Sequence, residues 1–384
     1  MAGDFKRLET QLVHAGEPRP RIEGAVEMPI FQSATYEYHG EARYDDVRYL
    51  RLNNTPNQLA LHGKLAILEG AEAALVTASG MAAISTTLLT VLKAGDHLLA
   101  QSCLYGGTHD FVTGEFAALG LTAGFIDADR RDTWAAHLKP NTRAIYVESM
   151  TNPLLEVADL PAVVEFARAR GLISIIDNTF ASPVNYRPIA AGFDLVVHSA
   201  TKYLNGHSDI VAGVVAGSAK LIERIRHKAN HLGGSLDPHA AFLLNRGLKT
   251  LALRVRYQND SALRIAQFLE GHAAVERVHY AGLATHPRHA RARSLFAGFG
   301  GVLSFELKGP AGRADEFASR VRIPAIAPSL GGVHTLLTRP ATTSHAGLSR
   351  EDRQRLGISD GLLRLSVGIE STEDLIEDFA RALE

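Results

Sequence analysis

From about residue 60 onward, short apolar runs alternate with amphipathic stretches. The runs 73–78, 97–102, 143–149, 172–178 and 193–200 are four to eight residues long and nearly continuous in apolar character. Stretches 81–93, 108–120 and 159–171 repeat their apolar positions with helical spacing. Strands buried on both faces lose the in–out alternation of a half-exposed sheet, and helical crossovers join parallel neighbours. The alternation predicts a doubly wound, mostly parallel α/β sheet covered on both sides. A long helical region is expected from about Ile222 to Leu269. A sparser pattern follows, with strands near 275–280, 302–307 and 362–368, a helix near 312–319 and a closing helix. This second part reads as a smaller C-terminal α+β domain. The first residues behave differently: Pro18, Pro20, Pro29 and a Tyr- and Arg-rich stretch from Tyr36 to Arg51 describe an arm with little core of its own. The expected division is an arm over 1–55, a large domain over 56–250 and a smaller one over 251–384.

Composition narrows the function classes. Forty basic against 41 acidic residues leave a net charge of −1 over 384 residues, so no global field favours nucleic acid or an anionic membrane. No apolar stretch reaches the ~20 residues of a membrane helix, and the opening residues lack the apolar core of an export signal. A cytoplasmic setting is expected. The single cysteine, Cys103, excludes a disulfide framework and a thiolate-rich metal site. Seventeen histidines include no HExxH pair, and no metal is expected. Basic residues divide into nine lysines and 31 arginines, which leaves few amines for covalent chemistry.

In an open parallel sheet, ligands sit beyond the carboxyl ends of the strands. Three such ends stand out. Ser79, Gly80 and Met81 close one run and open a helix, whose free N–H groups and dipole suit an anion. Asp177 ends the run 172–178, where a carboxylate needs a cationic partner. Lys202 lies just past the run 193–200, between Ser199, Thr201 and Tyr203, where burial makes a neutral amine available. Each alone also fits a plain role: a capped helix, a turn residue, a solvated lysine. Together they meet the needs of pyridoxal phosphate, whose aldehyde takes a lysine, whose ring nitrogen takes a carboxylate and whose phosphate takes a helix start. Tyr105, in a Tyr-Gly-Gly turn after another strand, offers an aromatic face and a phenol for proton transfer, or simply a turn tyrosine.

With these residues in view, the chain resembles the pyridoxal-phosphate-dependent enzymes of Cys/Met metabolism, which include cystathionine γ-synthase, cystathionine γ- and β-lyases, methionine γ-lyase and homoserine-ester sulfhydrylases. The likeness runs over nearly the whole chain. It is carried by Tyr49-Leu50-Arg51, Ser79-Gly80-Met81-Ala82-Ala83, Tyr105-Gly106-Gly107-Thr108, Glu148-Ser149-Met150-Thr151-Asn152-Pro153, Asp177-Asn178-Thr179-Phe180, Ser199-Ala200-Thr201-Lys202-Tyr203, Ser329-Leu330-Gly331-Gly332 and Leu363-Arg364-Leu365-Ser366-Val367-Gly368. The resemblance implies the fold-type I transferase fold and a homotetramer built from dimers with shared active sites. It implies that Lys202 carries the cofactor, that Asp177 pairs with its ring nitrogen beside Thr179, and that Tyr105 stacks on the ring. Ser79, Gly80, Met81, Ser199 and Thr201 are expected at the phosphate, helped by Tyr49 and Arg51 from a neighbouring subunit. Asn152, Ser329, Leu330 and Arg364 are expected around the substrate, with Arg364 on its carboxylate. Glu148 fits a catalytic or a core-linking role.

The substrate side departs from common forms of the family. Arg48 stands where an acidic or apolar residue is frequent, and His334 where many relatives carry glutamate. Two cation-capable groups in place of acids disfavour a distal ammonium and tolerate an acidic or neutral tail. The expectation is a carbon–sulfur lyase acting on cystathionine-like or other sulfur amino acids by γ- or β-elimination. γ-Replacement on an O-acylated homoserine is the alternative; a transaminase or a non-catalytic binding protein on the same scaffold fits less well.

Overall fold

The structure, a computed structural model, describes residues 5–347 and 349–384. Seven strands form the large sheet: β1 (Ala73–Thr77), β2 (His97–Gln101), β3 (Thr122–Ile126), β4 (Thr142–Glu148), β5 (Ile173–Asp177), β6 (Leu195–Ser199) and β7 (Gly213–Gly217). Their spatial order is β1-β7-β6-β5-β4-β2-β3. Only β7 runs against its neighbours β1 and β6. The pleat sends alternate residues to two separate cores. Val76, Val147, Ile176, Val196 and Val214 face Leu61 and Leu65 of the helix Pro56–Glu69. Leu75, Tyr146, Ile175, Val197 and Val215 face Ile84 and Leu88 of the helix Gly80–Val91. Each such aliphatic side chain withdrawn from water contributes about 1.5–3 kcal/mol, which explains why strands without polar alternation sit in the centre.

A second sheet contains β8 (Val275–His279), β9 (Val302–Leu307), β10 (Ala325–Ile326), β11 (Leu336–Thr338) and β12 (Leu363–Ser366), in the order β10-β11-β12-β9-β8. Leu303, Phe305 and Leu365 of this sheet pack on Leu375 and Phe379 of the closing helix Thr372–Leu383. A large seven-stranded sheet with helices on both faces and a smaller five-stranded sheet make up the fold, as the resemblance implies. Among the described residues, no helix is long and apolar enough to cross a membrane, and no group of side chains is arranged to hold a metal ion.

Two details differ from the sequence expectation. The helical region expected as one piece is three helices, Ala219–Leu232, Pro238–Leu248 and Leu251–Gly271. Gly233 and Gly234 both have φ of 84°, which ends the first helix. Asp237 accepts from the His239 and Ala240 N–H groups and caps the second helix at Pro238. Strand β7, Gly-Val-Val-Ala-Gly in sequence, is not among the expected strands, because glycine at both ends reads as loop.

Candidate active site

Strands β1, β2, β4, β5 and β6 all point their carboxyl ends to one edge of the large sheet, and that edge gathers the polar residues. At the end of β1, the Ser79 hydroxyl accepts the Ala82 N–H at 3.0 Å and caps the helix Gly80–Val91. A Cβ added to Gly80 falls 2.9 Å from the Ser199 side chain, so a glycine is needed for the helix start to lie against the end of β6. The hydroxyl of Thr201 accepts the Ala212 N–H at 3.0 Å and closes the turn after β6. The start of the helix Gly80–Val91 thus lies against the end of β6, and its backbone N–H groups and dipole suit a phosphate.

Asp177 ends β5 and is 8% exposed. Its Oδ1 accepts the Thr179 N–H at 2.9 Å and the Thr179 hydroxyl at 2.5 Å. The Thr179 oxygen in turn accepts the Ser199 N–H at 2.8 Å, which ties the ends of β5 and β6 together. Oδ2 lies 3.4 Å from the Tyr146 hydroxyl. Burial raises the carboxyl, and the Thr179 donors oppose that rise. Tyr105, four residues after the end of β2, has 44% of its surface exposed. Its N–H donates to Glu148 Oε1 at 2.6 Å, and a Cβ on Gly107 would fall 2.8 Å from its ring.

The Lys202 amine donates to the Ser329 hydroxyl at 2.8 Å. Burial, with a smaller effect of Arg364, lowers it from 10.5 to about 8. Ser329 also faces the other way: its carbonyl accepts from Arg364 Nη2 at 2.8 Å, while Arg364 Nη1 donates to Asn152 Oδ1 at 3.0 Å. Arg364 is 4% exposed, its Nε has no partner, and no carboxylate pairs with it among the described residues. Burial pulls this guanidinium down to about 10. A buried cation without an anion is costly, and a carboxylate ligand relieves the cost. The Ser329–Gly332 loop reaches Lys202 because Gly331, at φ 74°, leaves no room for a Cβ: one would lie 2.8 Å from the Tyr203 nitrogen. Leu330 is buried in the main core.

Within the single chain, the other expected residues stand apart from this cluster. Arg51 donates to the Asn230 carbonyl at 2.6 Å and to the Tyr44 hydroxyl at 2.9 Å, and its guanidinium lies 5.7 Å from the Tyr49 ring centre. Arg48 is exposed and lies 5.7 Å from the Tyr36 ring centre. His334 is exposed in the loop before β11. Two contributors to the edge escaped sequence reasoning. Tyr146 reads as a core residue of an apolar strand. Arg254 reads as a surface charge on a helix, yet it is buried and donates to the carbonyls of Tyr203 at 2.9 Å and Gly247 at 2.8 Å, bracing the chain after Lys202.

The arrangement fits pyridoxal phosphate: a lysine amine whose charge burial weakens, a buried carboxylate with one oxygen free of strong donors, an aromatic face and a capped helix start. Comparison with known proteins agrees. At 42% identity over 377 residues, 98% of this chain is similar to 99% of the cystathionine γ-lyase of Bacillus subtilis strain 168. The cystathionine β-lyase of Lactococcus lactis subsp. cremoris MG1363 is 40% identical, with 98% of this chain and 99% of that protein covered. The crystal structure of cystathionine γ-synthase from Xanthomonas oryzae pv. oryzae in complex with aminoacrylate and cysteine superposes with a TM-score of 0.94, at 40% identity over 98% of this chain and 97% of that one. Residues 9–384 match the Cys/Met metabolism PLP-dependent enzyme family, and the chain belongs to that family.

Proposed function

We propose that this enzyme is a carbon–sulfur lyase of transsulfuration that acts on cystathionine-like substrates, by γ-elimination in preference to β-elimination. The observation that carries the proposal is the double role of Ser329, which bonds the Lys202 amine through its hydroxyl and the Arg364 guanidinium through its carbonyl. One residue thereby sets the spacing between a base and a carboxylate anchor. An amino acid whose carboxylate takes the Arg364 fork has its α-carbon on the Lys202 side. Lys202 and Asp177 hold the cofactor, with Ser79, Gly80, Met81, Ser199 and Thr201 at its phosphate, Thr179 supporting Asp177, and Tyr105 on its ring. Bound pyridoxal phosphate supplies an electron sink for the charge left by α-proton removal. Lys202 takes the α-proton and, for γ-chemistry, moves a second proton from the β-carbon. Tyr105 exchanges a proton with the departing sulfur group. Asn152 and Leu330 complete the substrate side.

The division into an arm over 1–55 and domains over 56–250 and 251–384 is part of this proposal, and so is a homotetramer in which the arm brings Tyr49 and Arg51 to a neighbour's phosphate site. Exposed Val26, Tyr38 and Tyr44 on that arm support it, since apolar surface of this kind favours cover by another chain. A cytoplasmic setting suits a chain whose single thiol, Cys103, is free.

Arg48 and His334 favour the second reading, γ-replacement on O-succinylhomoserine, because groups other than acids on the substrate side tolerate an acidic leaving group. The test is to assay cystathionine, methionine and O-succinylhomoserine separately, resolving 2-oxobutyrate, pyruvate and thioether products. 2-Oxobutyrate from cystathionine without a thiol acceptor is the expected result. If only the ester reacts, and only with a thiol, the lyase proposal fails.

A further inference from the structure

Glu148 ends β4 beside Asp177 at the end of β5, and the two are register partners on parallel strands. Such partners point to the same face of a sheet, with strands about 4.8 Å apart. Glu148 is 4% exposed. Neither carboxyl has an ion-pair partner among the described residues; His198, whose field reaches Asp177, is engaged with Glu69 at 2.7 Å. Two adjacent buried carboxylates without a cation do not both ionise, and the proton stays on the one with fewer donors. Asp177 receives two donors from Thr179 and faces the Tyr146 hydroxyl. Glu148 receives one, the Tyr105 N–H at 2.6 Å. Burial, with the Asp177 charge next, pushes Glu148 well above the usual carboxyl range.

The backbone of Glu148 is itself fixed, because its N–H donates to Gln101 Oε1 at 2.9 Å at the end of β2. The chain leaving β2 thus returns to the same glutamate three residues after Gln101's neighbour Ser102, at Tyr105. We propose that Glu148 is a positioning residue that works as a neutral acid: it holds the Tyr105 backbone, and through it the Tyr105 ring, while leaving the negative charge of the pair on Asp177. This rests on the reading of Tyr105 and Asp177 as cofactor contacts.

The test compares Glu148→Gln and Glu148→Ala in the full-length enzyme loaded with pyridoxal phosphate, together with infrared difference spectra of the cofactor-free chain. Glutamine keeps the accepting oxygen and no charge, so it should retain kcat and KM within about twofold and leave the visible circular dichroism of the bound cofactor unchanged. Alanine should lower kcat about tenfold to a hundredfold with a smaller change in KM, and alter that dichroism, because the ring is misplaced. The wild-type minus Glu148→Gln infrared difference at pH 7 should contain a protonated-carboxyl C=O band. Absence of that band overturns the proposal. So does a glutamine variant as impaired as the alanine variant, or an alanine variant that behaves like wild type. Because the infrared band is read without cofactor, its outcome does not depend on the cofactor assignment, which the visible band of the wild-type enzyme tests separately.

Discussion

The two sides of the proposed pocket are built on different principles. On the lysine side, Asp177, Glu148, Lys202, Ser329 and Arg364 are tied to one another or to strand ends by bonds within one chain, and most are buried. On the tail side, Arg48 and His334 are exposed, and the arm that carries Arg48 rests on the helix Ala219–Leu232 through Asp45, which pairs with His227 at 2.8 Å. Desolvation shifts a group's proton affinity strongly, and holding a group out of water requires a rigid shell. Groups that sort one substrate tail from another need only a charge within reach, so they sit on loops and arms. On the proposed reading, the first side sets the chemistry and the second sorts one sulfur amino acid from another.

The sharpest break in this contrast is Lys202→Ala, which should lower kcat by about 10³-fold or more, since on the proposed reading it removes the base and the covalent anchor together. The variant should keep its far-ultraviolet circular dichroism and lose the visible absorption of bound cofactor; equal spectra would refute the assignment. The buried amine adds a pH signature. Only neutral amine captures an aldehyde, so in cofactor-free wild type the capture rate should rise about tenfold per pH unit and level off above pH about 8. A rise continuing to the ordinary lysine value of 10.5 would mean that the amine is solvated. Next in size is Arg364→Lys. Charge is kept but the fork is lost, and kcat/KM should fall about tenfold, mainly through KM; a change confined to kcat would place the substrate carboxylate elsewhere.

The contrast also explains what was legible in the sequence. Ser79, Asp177 and Lys202 stand out in the sequence because each follows an apolar run; each alone fits a plain role, and only the three together suggest one cofactor. The doubly wound sheet was legible for the same reason: its strands are buried on both faces and carry no polar alternation. Arg254 and Tyr146 were hidden, because a helix tolerates an arginine on its solvent face and a buried strand tolerates a tyrosine, and only tertiary packing shows which carbonyl or carboxylate each one meets. The bend at Gly233 and Gly234 was missed because helical spacing continues on both sides of it. Arg48 and His334 were visible as substitutions in a familiar pattern, but an exposed charge takes its meaning from a substrate or a neighbouring chain.

If the arm serves a neighbour, the two sides can be separated onto different chains. Lys202→Ala and Arg51→Ala homo-oligomers are each expected to be weak, the first through lost chemistry and the second through weakened phosphate binding. Random mixing after dissociation pairs half of the chains as hybrids, each with one wild-type site, so activity should recover to about a quarter of wild type. No recovery, with mixed oligomers demonstrated, would place Arg51 in its own chain's site.

The smallest expected effects fall on the tail side, and they bear most directly on the substrate. Arg48 is exposed, so its pairing with a succinyl carboxylate is worth no more than a surface ion pair, about 0.2–1 kcal/mol. Arg48→Ala should therefore raise KM for O-succinylhomoserine by about 1.4-fold to fivefold, leave kcat unchanged, and lose most of that effect at 1 M salt, where the screening length is about 3 Å. His334→Glu should act in the opposite sense on cystathionine, whose distal ammonium gains an acid, and lower its KM by a similar factor. These two changes move different substrates in different directions while leaving Lys202, Asp177 and Arg364 untouched, so stability or folding losses cannot mimic the pattern. Equal effects on both substrates would mean that neither side chain reaches the tail, and that selection lies within the buried half of the pocket.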